Sequence, residues 1–149
     1  MIKVQTQDFD PTSELSGFGG AKGKAGGMCL FIGLVRDFQS DGPEISSMTL
    51  EHYPGMTEKQ LSSIEDEARK RWDLEDVLII HRFGRLDAGE RIVMVATASA
   101  HRDTAFESCR FLMDWLKTKA PFWKVEHTAQ GDHWVAAKTS DDAAASSWE

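Results

Sequence analysis

Ser99–Glu126, SAHRDTAFESCRFLMDWLKTKAPFWKVE, reads as the end of one strand, a helix of about four turns and the return into a second strand. Phe106, Cys109, Leu112, Met113 and Leu116 follow helical spacing, so one face of this helix turns into a core. Thr104 and Glu107 form a T-x-x-E capping box that predicts the helix start, and Asp103 competes with Thr104 as the N-cap. The helix must stop before Pro121, because a residue that precedes proline, here Ala120, is pushed away from helical angles. A long amphipathic helix between two strands, in a chain with several further short strands, predicts a single α+β domain.

The same stretch carries basic groups at both ends. His101 and Arg102 precede the helix, where its dipole favours negative charge, so an anion would complete the arrangement. The plainer reading is an exposed arginine paired with Asp103. Lys117 and Lys124 flank the helix exit around Ala120-Pro121-Phe122-Trp123. A lysine in a last helical turn needs no function, since it complements the dipole. Desolvation beside Phe122 and Trp123 would instead free an amine for acid–base or nucleophilic work.

Working outward, Ile2–Gln7 alternates as a short strand, and Asp10-Pro11-Thr12-Ser13 opens a short helix to Leu15. Ser16–Gly27, SGFGGAKGKAGG, is glycine-rich with two lysines but lacks the G-x-x-x-x-G-K-[ST] order, so it reads as a mobile loop. Met28–Arg36, MCLFIGLVR, reads as a central strand buried on both faces, with Gly33 marking a bulge. Arg36 at its end is a second candidate anion ligand. Asp37–Glu44 is a polar loop, and Ile45–Tyr53 is a strand ended by Pro54-Gly55. Thr57-Glu58-Lys59-Gln60 caps a solvated amphipathic helix running to about Trp72. Val77–Ile80 and Ile92–Ala96 are strands joined through a hairpin loop at Asp87–Glu90, and His81 reads as structural. Phe122–Thr128 and His133–Ala136 bracket a hairpin at Gln130-Gly131-Asp132. The acidic end, residues 138–149, reads as a tail, frayed or forming a short helix, behind one domain of residues 1–137.

With 149 residues and 41% hydrophobic content the chain can bury one real core. Its net charge of −7 argues against nucleic acid or an anionic membrane surface as partner. Basic clusters in so acidic a chain point to a small anionic ligand. The two cysteines, Cys29 and Cys109, lie in apolar runs and read as buried thiols of a reducing, cytoplasmic compartment. No His/Cys spacing suggests a metal, and no apolar run reaches membrane-spanning length.

The strings FIGLVR, LEHYPGMTEKQL, IIHRFGRLDAGE, SAHRDTAFESCRFLMDWLKTKAPFWKVE and GDHWV, in that order, resemble the large, catalytic subunit of molybdopterin synthase across Ile2–Val135. The glycine-rich loop and the tail lie outside the recognisable pattern. The resemblance implies an α/β hammerhead-like fold, with a mixed or antiparallel sheet and two main helices. It also implies a sulfurtransferase of molybdenum cofactor biosynthesis, which installs two sulfurs in cyclic pyranopterin monophosphate. The sulfur donor would be the thiocarboxylated Gly-Gly tail of a small ubiquitin-like subunit, so no metal or organic cofactor is expected. Two large subunits would pair as a homodimer at the centre of a heterotetramer.

Carried over by position, the resemblance places substrate contacts at Leu34, Val35, Arg36, His101, Arg102, Lys117, Lys124, Val125 and Glu126. Lys117 and Lys124 would be the catalytic pair, and the Arg36 position would reach the neighbouring protomer's pocket. Two alternatives remain: a non-catalytic module that docks a ubiquitin-like partner, and another phosphate-handling transferase.

Overall fold

The computed structural model describes residues 1–37, 45–135 and 139–149. The strands are β1 (Ile2–Gln5), β2 (Gly27–Leu34), β3 (Ile45–His52), β4 (Asp76–Arg82), β5 (Gly84–Asp87), β6 (Arg91–Ser99), β7 (Phe122–Thr128) and β8 (Gly131–Val135). The helices are α1 (Pro11–Leu15), α2 (Met56–Arg71), α3 (Arg102–Lys119) and α4 (Thr139–Ser146). The strands form two four-stranded sheets, β1-β4-β6-β2 and β5-β3-β7-β8, whose members interleave along the chain. All pairings are antiparallel except β1 with β4. The expected α+β class holds, with two sheets where one was anticipated. The strand β5 was not foreseen; it leaves the first sheet after β4 and joins the second, so β4 and β6 are not a simple hairpin.

The apolar runs DVLIIHR and RIVMVATAS make β4 and β6 the buried centre of the first sheet. Alternate side chains serve its two faces. Val77, Ile79, Val93 and Val95 face α2 and α3, meeting Leu61, Ile64, Phe111 and Leu112. Leu78, Ile80, Met94 and Ala96 face the other way, under Phe9, Leu15 and Phe18. A third cluster, Val35, Met48, Leu50 and Leu86, joins the second sheet to the end of the first.

MCLFIGLVR is an edge strand rather than a central one. Among the described residues β2 pairs only with β6, and Met28, Leu30, Phe31 and Leu34 are exposed. The expected bulge is present, with a register shift between Gly33 and Leu34. Gly33 is there for space: a Cβ would lie 2.7 Å from Val93 Cγ1. Beyond the bulge, the Val35 N–H donates to the Glu90 carbonyl (2.9 Å) and the Gly89 N–H donates to the Val35 carbonyl (2.8 Å), which fixes the direction in which Arg36 leaves the strand.

Both helix starts differ from the capping boxes expected. In α2 the Gly55 N–H donates to Glu58 Oε2 (2.7 Å), while the Thr57 hydroxyl donates to the Tyr53 carbonyl (2.9 Å), so the helix begins before Thr57. In α3 the N-cap is His101, and Arg102 is already helical. The Thr104–Glu107 box does not form; Glu107 accepts instead from Trp72 Nε1 at 3.3 Å.

The glycine-rich stretch is tied down at both ends rather than free. The Gly19 N–H donates to Asp76 Oδ2 (3.1 Å) and the Gly26 N–H donates to the Ser99 carbonyl (2.8 Å). A Cβ on Gly26 would collide with the Ala100 carbonyl oxygen. The acidic end is a helix with a buried contact: Trp148 Nε1 donates to Asp114 Oδ2 (2.8 Å), Trp115 Nε1 donates to the Ala145 carbonyl (3.3 Å), and Ala145 is buried. It packs as part of the domain. The anticipated boundary at Ala137–Lys138, the end of the last strand at Ala136 and the polar loop from Phe38 to Glu44 lie outside the described residues.

Candidate active site

α3 lies antiparallel to β6. The Thr97 hydroxyl donates to the Ala105 carbonyl (2.8 Å), and the Cys109 thiol contacts the Val95 carbonyl one turn on (3.8 Å). Because β6 pairs antiparallel with β2, the helix starts at the Gly27 end of β2 and finishes at the Leu34 end. His101 and Arg102 therefore stand at one end of the molecule, with Gly27 packed close to Arg102. Lys117 stands roughly 22 Å away along the helix axis, at the Arg36 end. One chain does not unite the candidate residues.

What it does assemble at the Arg36 end is a corner. α3 stops at Lys119, and the Phe122 N–H donates to the Ala120 carbonyl (2.9 Å), turning the chain into β7. Phe122, Lys124 and Glu126 share one face of β7, since they alternate along it. Leu50 and Met48 of β3 pair directly with Lys124 and Glu126, and both pack with Val35. Lys124 Nζ lies 3.6 Å from Glu126 Oε1, whose side chain is 8% exposed. A buried carboxylate beside an amine holds that amine's position and keeps the local charge near balance.

The other strand positions fall differently. Val35 is buried in the third cluster, so it shapes the wall. Leu34 is exposed on the β2 edge. Val125 and Trp123 point to the opposite face of the second sheet, where Val125 pairs with Trp134. Trp123 therefore does not shield Lys124, as the expectation of desolvation by Phe122 and Trp123 required.

Phe122 does something else. Its ring stacks on that of His81, centroids 3.7 Å apart and planes at 15°. His81 is buried in β4, and its Nδ1 lies 2.8 Å from the Arg82 carbonyl oxygen. Burial pulls the His81 pKa down to about 4, with the charges of His52 and Lys117 pushing in the same direction. His81 and Lys117 are thus close enough to interact electrostatically. The sequence offered little to mark this: a histidine closing an apolar strand has the pattern of a core residue.

Lysine amines at a helix–strand corner, an arginine leaving a clamped edge strand, and His101 and Arg102 at the far end make up the set of candidate groups that one chain offers. Residues 4–119 match the family described as MoaE protein, and the chain belongs to that family. It is 53% identical to the molybdopterin synthase catalytic subunit of Pseudomonas aeruginosa, with 99% of this chain and 98% of that protein covered. The molybdopterin biosynthesis MoaE protein of Burkholderia ambifaria superposes with a TM-score of 0.83 at 49% identity, covering 99% of this chain and 97% of that one. Molybdopterin synthase from Staphylococcus aureus superposes with a TM-score of 0.82 at 25% identity, covering 90% and 96%.

Proposed function

We propose that this chain uses Lys117 and Lys124, with Arg36 and a second copy's His101 and Arg102, to move sulfur onto cyclic pyranopterin monophosphate. The observation that carries the reading is the corner itself, with Lys117, Lys124 and Arg36 gathered at one end of the chain. The cyclic phosphate takes the arginines, which supply position and neutralise charge. The thiocarboxylate sulfur of the small ubiquitin-like subunit attacks a side-chain carbon of the pterin, and a C–S bond forms as the displaced oxygen takes a proton from Lys117. Lys124 stabilises negative charge on the reacting oxygen. Water then cleaves the acyl–sulfur bond, leaving sulfur on the substrate and a carboxylate on the small subunit. A second charged small subunit repeats the step to complete the dithiolene. Val35 serves as a wall and Glu126 as a support, whereas Val125 faces away from the corner and Leu34 lies exposed on the β2 edge.

The exposed apolar edge of β2 supports a second copy as the source of His101 and Arg102. Two β2 strands pairing about a two-fold axis run antiparallel, so the Leu34 end of one copy meets the Gly27 end of the other. That geometry sets His101 and Arg102 of the second copy beside Arg36 of the first. The free thiols Cys29 and Cys109 suit the reducing cytoplasm.

The test is to incubate the chain with thiocarboxylated small subunit and cyclic pyranopterin monophosphate and to follow the dithiolene product. Product is expected only when all three are present. Tight binding of the small subunit without turnover would support the docking module instead, and turnover without thiocarboxylate would support another transferase.

A further inference from the structure

We propose that Thr49, His127 and Asp132 form a second reactive site, which takes the acyl group of an activated ester onto Thr49 and passes it to water. It lies on the face of the second sheet turned away from the lysine corner and is independent of sulfur transfer. The Thr49 hydroxyl is 2.8 Å from His127 Nε2, and His127 Nδ1 is 2.7 Å from Asp132 Oδ1. A carboxylate only accepts, so Nδ1 carries a proton and donates to Asp132. In the neutral ring Nε2 then holds a lone pair and accepts from the Thr49 hydroxyl. A hydroxyl, a base bonded to it and a carboxylate that orients the base are the parts that nucleophilic catalysis needs.

Adjacent strands hold the set. Thr49 is on β3, between β5 and β7, while His127 and Asp132 are in register across the β7–β8 hairpin. The Thr128 hydroxyl closes that hairpin, donating to the Gly131 carbonyl (2.9 Å) and accepting from the Gln130 N–H (3.2 Å). Directly paired residues share a face, so Arg85, in register with Thr49, stands on the side of it away from His127. Its exposed guanidinium makes only a long contact of 3.6 Å to Asp87, and it can meet the negative charge that develops on an attacked carbonyl oxygen. Val125, in register with Thr49 from β7, is flanked by the exposed rings of Trp123 and Trp134. These rings offer an apolar platform for an aryl ester.

In the first step the Thr49 oxygen attacks the ester carbonyl as its proton passes to His127 Nε2. The carbon–oxygen bond to the leaving group breaks, and the phenol departs with that proton. Water then attacks the acyl carbon and gives a proton to Nε2. The bond to Thr49 breaks, Thr49 recovers the proton, and the carboxylic acid is released.

The probe is p-nitrophenyl acetate, offered to the full chain. Release of p-nitrophenolate above the buffer rate is expected, with an acetyl group found on Thr49 by peptide mass spectrometry after rapid quenching. Thr49→Val keeps the shape without the hydroxyl and should lose the Thr49-dependent release, whereas Thr49→Ser should retain it. His127→Gln should slow that release roughly a hundredfold. An acetyl group confined to lysines overturns the proposal, as does Thr49→Val releasing p-nitrophenolate as fast as the wild type. It is equally overturned if Thr49→Ser loses release together with Thr49→Val, in step with their melting temperatures, for the three side chains would then serve only to bridge strands.

Discussion

Lys117 and Lys119 sit two residues apart in the last turn of α3, and only one of them faces the corner. Lys119 pairs with Glu149 (3.6 Å) and lies over the Trp115 ring. Replacing Lys117 with Ala is expected to lower turnover about a hundredfold or more while the small subunit still binds, as calorimetry would report. Lys119→Ala should leave turnover near normal. His81 gives a stability prediction of known sign. Its folded pKa of about 4 lies below the ordinary 6.5, so between those values the unfolded chain binds the proton and the native chain does not. The contribution is therefore fully present above pH 6.5 and is lost as pH falls to about 4, amounting to about 3 kcal/mol. Melting temperatures measured across that window should fall on acidification in the wild type, and less steeply in His81→Phe.

At the scale of elements, the helices and most strands were legible because their periodicities are strong, and α3 ends where Pro121 requires. Its start lies three residues before the Thr104 box and two before the Asp103 alternative. The Ala105 N–H already donates to the His101 carbonyl (3.2 Å), and Trp72 takes the Glu107 carboxylate, a competitor that lies far away in sequence. The edge position of β2 is not legible in sequence, because an apolar run looks the same whether its own chain or another covers it. The bulge at Gly33 was legible, and it can be tested: Gly33→Ala pushes a methyl into Val93 and is expected to cost about 1–3 kcal/mol in denaturant titration. The sequence of the terminal helix α4 is compatible with both fraying and order. Trp148 settles it by packing edge-on against Trp72 and Phe111, and Trp148→Ala should cost about 2 kcal/mol instead of behaving as a change in a loose tail.

For the whole molecule, the candidate residues were legible one by one, but their division between two ends was not, because it depends on the direction of α3 against β6. The proposed shared site makes a sharp prediction. Arg102→Ala and Lys117→Ala should each be inactive as pure dimers, yet mixing them after subunit exchange should restore activity. In a random mixture about a quarter of the sites receive both intact halves, so recovery to about a quarter of the wild-type rate is expected. No recovery would place both residues in the same protomer's site.

The interleaving of the two sheets also has a consequence in time. β3 emerges early, yet its partner β7 lies more than seventy positions later, with Leu50 facing Lys124 and Glu51 facing Trp123. β1 waits similarly for β4, with Ile2 facing Ile79. The first sheet can close once β6 has emerged, but the second cannot close until β7 and β8 have been made. Contacts so distant in sequence make for slow folding and for a period in which unpaired edges are open to wrong partners. A nascent chain stalled before β7 should therefore leave β3 and β5 sensitive to protease, and their protection should arrive in one late step once β7 and β8 are free of the ribosome.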